Sequence, residues 1–200
     1  MSIPVESIKQ GLALLPERFT NKAVFRLLVA IGLQESRFTH RYQVVQGRPG
    51  AKGPARGFWQ FELGSQASRG GVWGVVLHKA SRGHLENVCK TLGVPFDART
   101  IWQSLETNDK LAAAVARLLL LTDPFEIPKQ QGAAWNLYAQ RCWRPGKPHP
   151  QTWPTSHAPM YGSHACESES QYSCRTDARE VWTIPTPGWQ WERYPIAGCS

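Results

Sequence analysis

No two cysteines of this chain are spaced as CxxC and no two histidines as HxxxH, so neither a zinc ribbon nor a helix-borne zinc pair can be built from its motifs. His157, His164, Cys166 and Cys174 come nearest to a cluster, but their spacing is irregular and the stretch is rich in Pro and Ser. We expect no metal and no cofactor. Five cysteines, an odd number, do not complete a disulfide framework and fit free thiols, with Cys166 and Cys174 as the pair that oxidising conditions would close. The longest strongly apolar run, "LAAAVARLLLL", is broken by Arg117 and is too short for a membrane span. The start, "MSIPVESIKQGLALLPERF", has no basic leader, no apolar core of signal-peptide length and no small-residue cleavage site, so synthesis in the cytoplasm without an export signal is expected. "GRPGAKG" lacks the GK[ST] ending and the strand-to-helix setting of a phosphate loop.

Acidic residues are scarce where basic ones are plentiful. Residues 1–150 hold 20 of the 23 Lys and Arg and 10 of the 15 Asp and Glu, a net of +10, whereas residues 151–200 carry a net of −2. A domain so charged is drawn to polyanions: nucleic acid, anionic headgroups or the acidic polymers of a bacterial envelope. Its bases are scattered rather than packed into one arm, which argues against a nucleic-acid tail. With 42% hydrophobic residues, the chain can bury one sizeable core. We therefore expect one domain over 1–151 and an irregular extension over 152–200.

Helical periods dominate the first part. Val5, Ile8, Leu12 and Leu15 give a first helix stopped by Pro16. A second begins after Thr20 or Asn21 and puts Val24, Leu27, Leu28 and Ile31 on one face. Glu35 stands four residues after Ile31 and eight after Leu27, on or beside that apolar stripe. A carboxyl there loses water and holds its proton closer to neutrality. Two β-prone segments follow, "RYQVV" and "GFWQF", separated by a Gly- and Pro-rich connection. After residue 64 the pattern is helical again, with Ser81 and Asp97 as candidate caps. "NDKLAAAVARLLLLTDP" is the clearest helix, and "QQGAAWNLYAQRCW" is the last before "RPGKPHP". The fold class is thus α+β, mainly helical, with a small hairpin-like element after the helix that bears Glu35.

Three segments stand out in order: "ESRF" at 35–38, "GFWQF" at 57–61 and "AAWNLY" at 133–138. In this order they resemble the lysozyme-like lytic transglycosylases, which carry a catalytic Glu followed by Ser and an aromatic, then a Gly-x-x-Gln segment, then a helix with an aromatic-Asn pair. The resemblance covers roughly residues 20–145. It implies a lysozyme-like fold with Glu35 as catalytic acid and base, Ser36 beside it, and Gly57, Gln60, Trp135 and Asn136 on the substrate, with Tyr138 as candidate for the family's later Tyr. Trp59 stands where the family usually has Met and Trp135 where it usually has Tyr, and the 25 residues from Glu35 to Gln60 are more than the family commonly shows. Within the family the chain is most similar to enzymes carried in tailed-phage virions.

Cleaving a β-1,4 glycosidic bond ordinarily takes two carboxyl groups. No clear second acid is visible; Glu62 would share a side with Gln60 only in a regular strand. One Glu suffices if the N-acetyl group of MurNAc attacks its own anomeric carbon and the same Glu then deprotonates an incoming hydroxyl. Water would give a muramidase product and the sugar's C6 hydroxyl a 1,6-anhydro end. The expected partner is the peptidoglycan glycan strand, with no membrane span and no nucleic acid, and the expected place of action is the bacterial cell wall. The extension, with four of the nine Trp and three of the five Cys, reads as a docking element for other virion or tail proteins. Two rivals carry different functions: an inactive virion structural or adaptor protein on the same fold, and a basic nucleic-acid binder.

Overall fold

The computed structural model describes residues 3–153. Expectations about residues 154–200, including the cysteines and histidines of the extension, concern residues outside that range. The described chain is mainly helical with one small two-stranded antiparallel sheet. Its helices are α1 (Val5–Ala13), α2 (Lys22–Ser36), α3 (Gly71–Leu77), α4 (Arg82–Leu92), α5 (Ala98–Ser104), α6 (Asp109–Leu121) and α7 (Gln131–Asn136). Helix α7 continues into a π-helical segment, Leu137–Cys142. Among the described residues no helix is long and apolar enough to cross a membrane.

Helix α6 is the centre. Every side chain from Leu111 to Leu120 is buried, Arg117 included, so it reads as a core helix surrounded by others rather than an amphipathic one on a surface. Its alanines let neighbours approach closely. Helix α1 does so, where a side chain on Gly11 would meet the Lys110 carbonyl at 2.4 Å. Local chemistry sets the helix starts: Asn21, Asp97 and Asn108 each accept a backbone N–H three residues on, at 2.9, 2.8 and 3.0 Å. Ser81 precedes α4 but does not cap it. Its hydroxyl is buried and donates to the Val75 carbonyl at 2.7 Å, tying α4 to α3.

The sheet departs from what composition suggests. Strand β1 (Tyr42–Val44) lies in "RYQVV", but β2 (Lys52–Arg56) is "KGPAR", from the connection, and not the aromatic "GFWQF". Tyr42 pairs with Arg56 and Val44 with Lys52, an irregular register that accommodates Pro54. Contacts distant in sequence hold this poor strand-former in place. Glu106 pairs with Lys52 and, at 3.1 Å, with Arg56; Asp109 takes both arms of Arg41 at 2.9 and 2.7 Å; and Trp102 donates to the Pro54 carbonyl at 3.0 Å.

Candidate active site

Helix α2 ends abruptly. Arg37 and Phe38 both take left-handed backbone conformations, φ 52° and 53°, which is rare for consecutive non-glycine residues. The turn drives the Phe38 ring inward against Phe58 and Trp59, with ring centroids 5.4 and 5.9 Å away. Ser36 locks it: its hydroxyl donates to the Phe58 carbonyl at 2.7 Å and accepts the Phe38 N–H at 3.1 Å. Its contacts are thus those of a structural clasp between the helix end and the segment Gly57–Phe61.

That segment is a tight turn. Arg56 and Phe61 exchange backbone hydrogen bonds of 2.9 and 2.8 Å, closing a loop over Gly57, Phe58, Trp59 and Gln60. Gly57 is buried at φ 72°, with the Leu105 carbonyl 3.0 Å from where a side chain would begin, so the position requires glycine. Trp59 is wholly buried and donates to the Leu28 carbonyl at 2.8 Å. Gln60 is left-handed too, φ 49°, and half-buried. Its amide donates to the Gly57 carbonyl at 2.9 Å, leaving its side-chain oxygen without a partner among the described residues.

The third segment arrives through the π-helical stretch, whose wider turn re-aims side chains relative to an α-helix and recurs at functional sites. Tyr138, buried, donates its hydroxyl to Oε1 of Glu35 at 2.8 Å. Trp153 stacks on Tyr138, rings 5.3 Å apart and nearly parallel at 5°, and Trp135 lies 5.4 Å from Tyr138 and 5.5 Å from Trp153. Trp143 donates to the Trp59 carbonyl at 3.0 Å, joining this aromatic cluster to the Gly57–Phe61 turn. Asn136 is exposed, two residues before Tyr138, about 200° around a helix of 3.6 residues per turn. Nothing described links it to Glu35.

Glu35 as a whole is half-buried, with its carboxyl withdrawn from water. Burial raises its pKa from 4.5 to about 7; the Tyr138 hydrogen bond pulls it down, and the charge of Glu62 pushes it further up. Tyr138 is held protonated well above its ordinary range by burial first and by the Glu35 charge second. The arrangement can therefore deliver a proton near neutrality, and receive it back, at one position facing an aromatic wall.

Of the residues singled out in the sequence, the structure brings Glu35, Ser36, Gly57, Gln60, Trp135 and Tyr138 into one connected region, and Asn136, next to Trp135 in α7, is exposed. Two contributors carry little sequence signal. Glu62 is exposed and acts on Glu35 through its charge, across an irregular turn that no strand alternation describes. Trp153 falls within the expected extension yet is 2% exposed, so the packed unit runs at least to residue 153, past the expected boundary at 151. Two cavities lie elsewhere, one between α2 and α6 and one between α3 and the π-helical segment. Among the described residues no three His, Cys, Asp or Glu gather where they could hold a metal. No protein-family model, curated protein or solved structure matches the chain.

Proposed function

We propose that this protein cleaves the β-1,4 bond between MurNAc and GlcNAc in bacterial peptidoglycan, on a lysozyme-like domain, with Glu35 as the single acid and base. The observation that carries the reading is the Glu35 carboxyl at the end of α2, hydrogen-bonded by Tyr138 and lifted to about 7, since a glycosidase acid must keep a proton at the pH where it works. In the first step Glu35 gives its proton to the glycosidic oxygen as the bond to the MurNAc anomeric carbon breaks. The substrate's own acetamido oxygen closes on that carbon. The GlcNAc end leaves as an alcohol and Glu35 is left as a carboxylate. In the second step that carboxylate takes a proton from an incoming hydroxyl, whose oxygen displaces the acetamido oxygen.

Other residues take supporting roles in this reading. Tyr138 fixes Oε1, so the proton is carried on the opposite oxygen. Gln60, with its amide N–H already spent, offers an oxygen to the acetamido N–H without competing for the transferred proton. Trp135 supplies an aromatic face for a sugar ring, while Asn136 rests on the resemblance alone. The resemblance to phage-borne enzymes supports an enzyme carried in a virion that opens the wall locally, with residues 154–200 attaching it to other virion proteins. Digestion of purified peptidoglycan followed by mass spectrometry is the test. Cleavage with anhydro or reducing MurNAc ends is expected, the two differing by one water, and no cleavage by either the wild type or Glu35→Gln would overturn the reading.

A further inference from the structure

The cavity between α3 and the π-helical segment has a volume of about 130 Å³. Arg69, His78, Arg141 and Arg144 are among the residues that line it, and no acidic residue is. Arg69 and Arg144 approach from different turns, and both hold left-handed backbone conformations, φ 48° and 47°. Neither guanidinium makes an ion pair or hydrogen bond among the described residues. Arg141 is paired with Asp123 at 3.3 Å, which matches its charge. Nδ1 of His78 accepts the Ala80 N–H at 3.2 Å, so the neutral ring carries its proton on Nε2, which remains a donor. The Leu119 carbonyl at the same wall is already taken by the Thr122 hydroxyl at 2.7 Å. The lining thus includes two exposed arginines, Arg69 and Arg144, whose charges no acidic residue among the described ones pairs.

We propose that this cavity binds a phosphoryl group, as free phosphate or as the phosphate of an anionic polymer. Two guanidinium forks match the charge and the oxygen geometry of a tetrahedral dianion better than those of a single carboxylate. The volume fits the size class: it is below the roughly 300 Å³ at which pockets for whole organic ligands begin, yet several times the about 30 Å³ share of one water. The site lies apart from Glu35 and does not depend on the glycosidase reading.

The test is calorimetry and thermal melting of the full chain with sodium phosphate, against sodium acetate and sodium chloride at equal ionic strength. Phosphate at about ten times its dissociation constant should raise Tm by about 3 to 5 °C, with acetate and chloride well below that. Arg69→Gln with Arg144→Gln should weaken phosphate binding at least about tenfold and leave the phosphate-free Tm unchanged. If that double variant melts early, Arg144→Lys keeps the charge, loses the fork, and should still bind phosphate several-fold more weakly. Glu35→Gln should bind phosphate as the wild type does, even if it cleaves nothing. A glycerol phosphate polymer binding more tightly per phosphate than the free ion assigns the site to a polymer; equal binding assigns it to free phosphate. An equal Tm rise with acetate, or unweakened binding in the folded arginine variants, would overturn the proposal.

Discussion

Burial raises the Glu35 carboxyl from 4.5 to about 7, and this has a consequence for stability as well as for chemistry. The unfolded chain gives up this proton near pH 4.5 and the folded chain near 7. Between them the folded state binds more protons, so its stability falls as pH rises, by roughly 3 kcal/mol once pH exceeds 7. Glu35→Gln, isosteric and neutral, should therefore abolish wall cleavage while raising Tm at pH 8 and leaving it near wild type at pH 4. A lower Tm at both pH values would make Glu35 a structural residue. The same carboxyl sets the alkaline limb of the rate profile, which should fall as pH rises through about 7. Tyr138→Phe removes the contact that lowers the Glu35 pKa and should move that limb to higher pH; Glu62→Gln removes a raising charge and should move it to lower pH. Rate profiles of the two variants that shift in the same direction would contradict this account. Gln60→Asn tolerates the left-handed backbone but withdraws the amide, and turnover should drop about 10 to 1,000-fold. Asn136→Ala should cost less, which steady-state kinetics on the same substrate will tell. Glu35 was legible in the sequence because its place depends on the period of one helix. Its partner Tyr138 was only a candidate, because that hydrogen bond spans 103 residues and depends on a π-helical register that no hydrophobic period announces.

At the scale of elements, what is set within a few residues could be read directly, and what is set at a distance could not. The caps at Asn21 and Asp97 and the helical run of α6 are of the first kind. The hairpin is of the second: "GFWQF" has the composition of a strand, but Trp59 and Phe38 are drawn into the core beside α2 and the backbone follows as a turn. "KGPAR" forms the strand because Glu106 and Trp102 from α5 and its end hold it. Ser81 fails as a cap because a buried carbonyl on α3 claims its hydroxyl. If the bridge to Glu106 organises the hairpin, Glu106→Gln should accelerate amide hydrogen exchange at Gly57, whose N–H bonds the Arg41 carbonyl at 2.7 Å, while leaving α6 protected. Its effect on global Tm should be small, since partly exposed ion pairs contribute about 0 to 1 kcal/mol. Unchanged exchange at the hairpin would mean that Trp102 and the Arg41–Asp109 pair suffice alone.

At the scale of the whole molecule, the position of the domain's end decides what a truncated protein can do. All three sequence motifs lie before residue 140, which makes a fragment ending at Gln151 look sufficient. Thr152 and Trp153 change that expectation. The Thr152 hydroxyl donates to the side-chain oxygen of Gln34 at 3.1 Å, next to Glu35, and the Trp153 indole donates to the Gln131 carbonyl at 3.2 Å while its ring covers Tyr138. Removing a buried indole costs about 3 to 5 kcal/mol, a large part of the 5 to 15 kcal/mol that holds a typical domain together. It would also open Tyr138, and with it the Glu35 carboxyl, to water. A fragment of residues 1–151 should accordingly melt well below one of residues 1–164 and cleave peptidoglycan poorly. In any protein that remains folded, its alkaline limb should move towards the ordinary carboxylate range, because desolvation is the largest cause of the raised Glu35 pKa. Trp153→Ala in the full chain isolates the effect and should reproduce both the lower Tm and the acid-shifted profile. Retention of wild-type Tm and profile in Trp153→Ala would mean that α2, the Gly57–Phe61 turn and the π-helical segment keep Glu35 dry unaided.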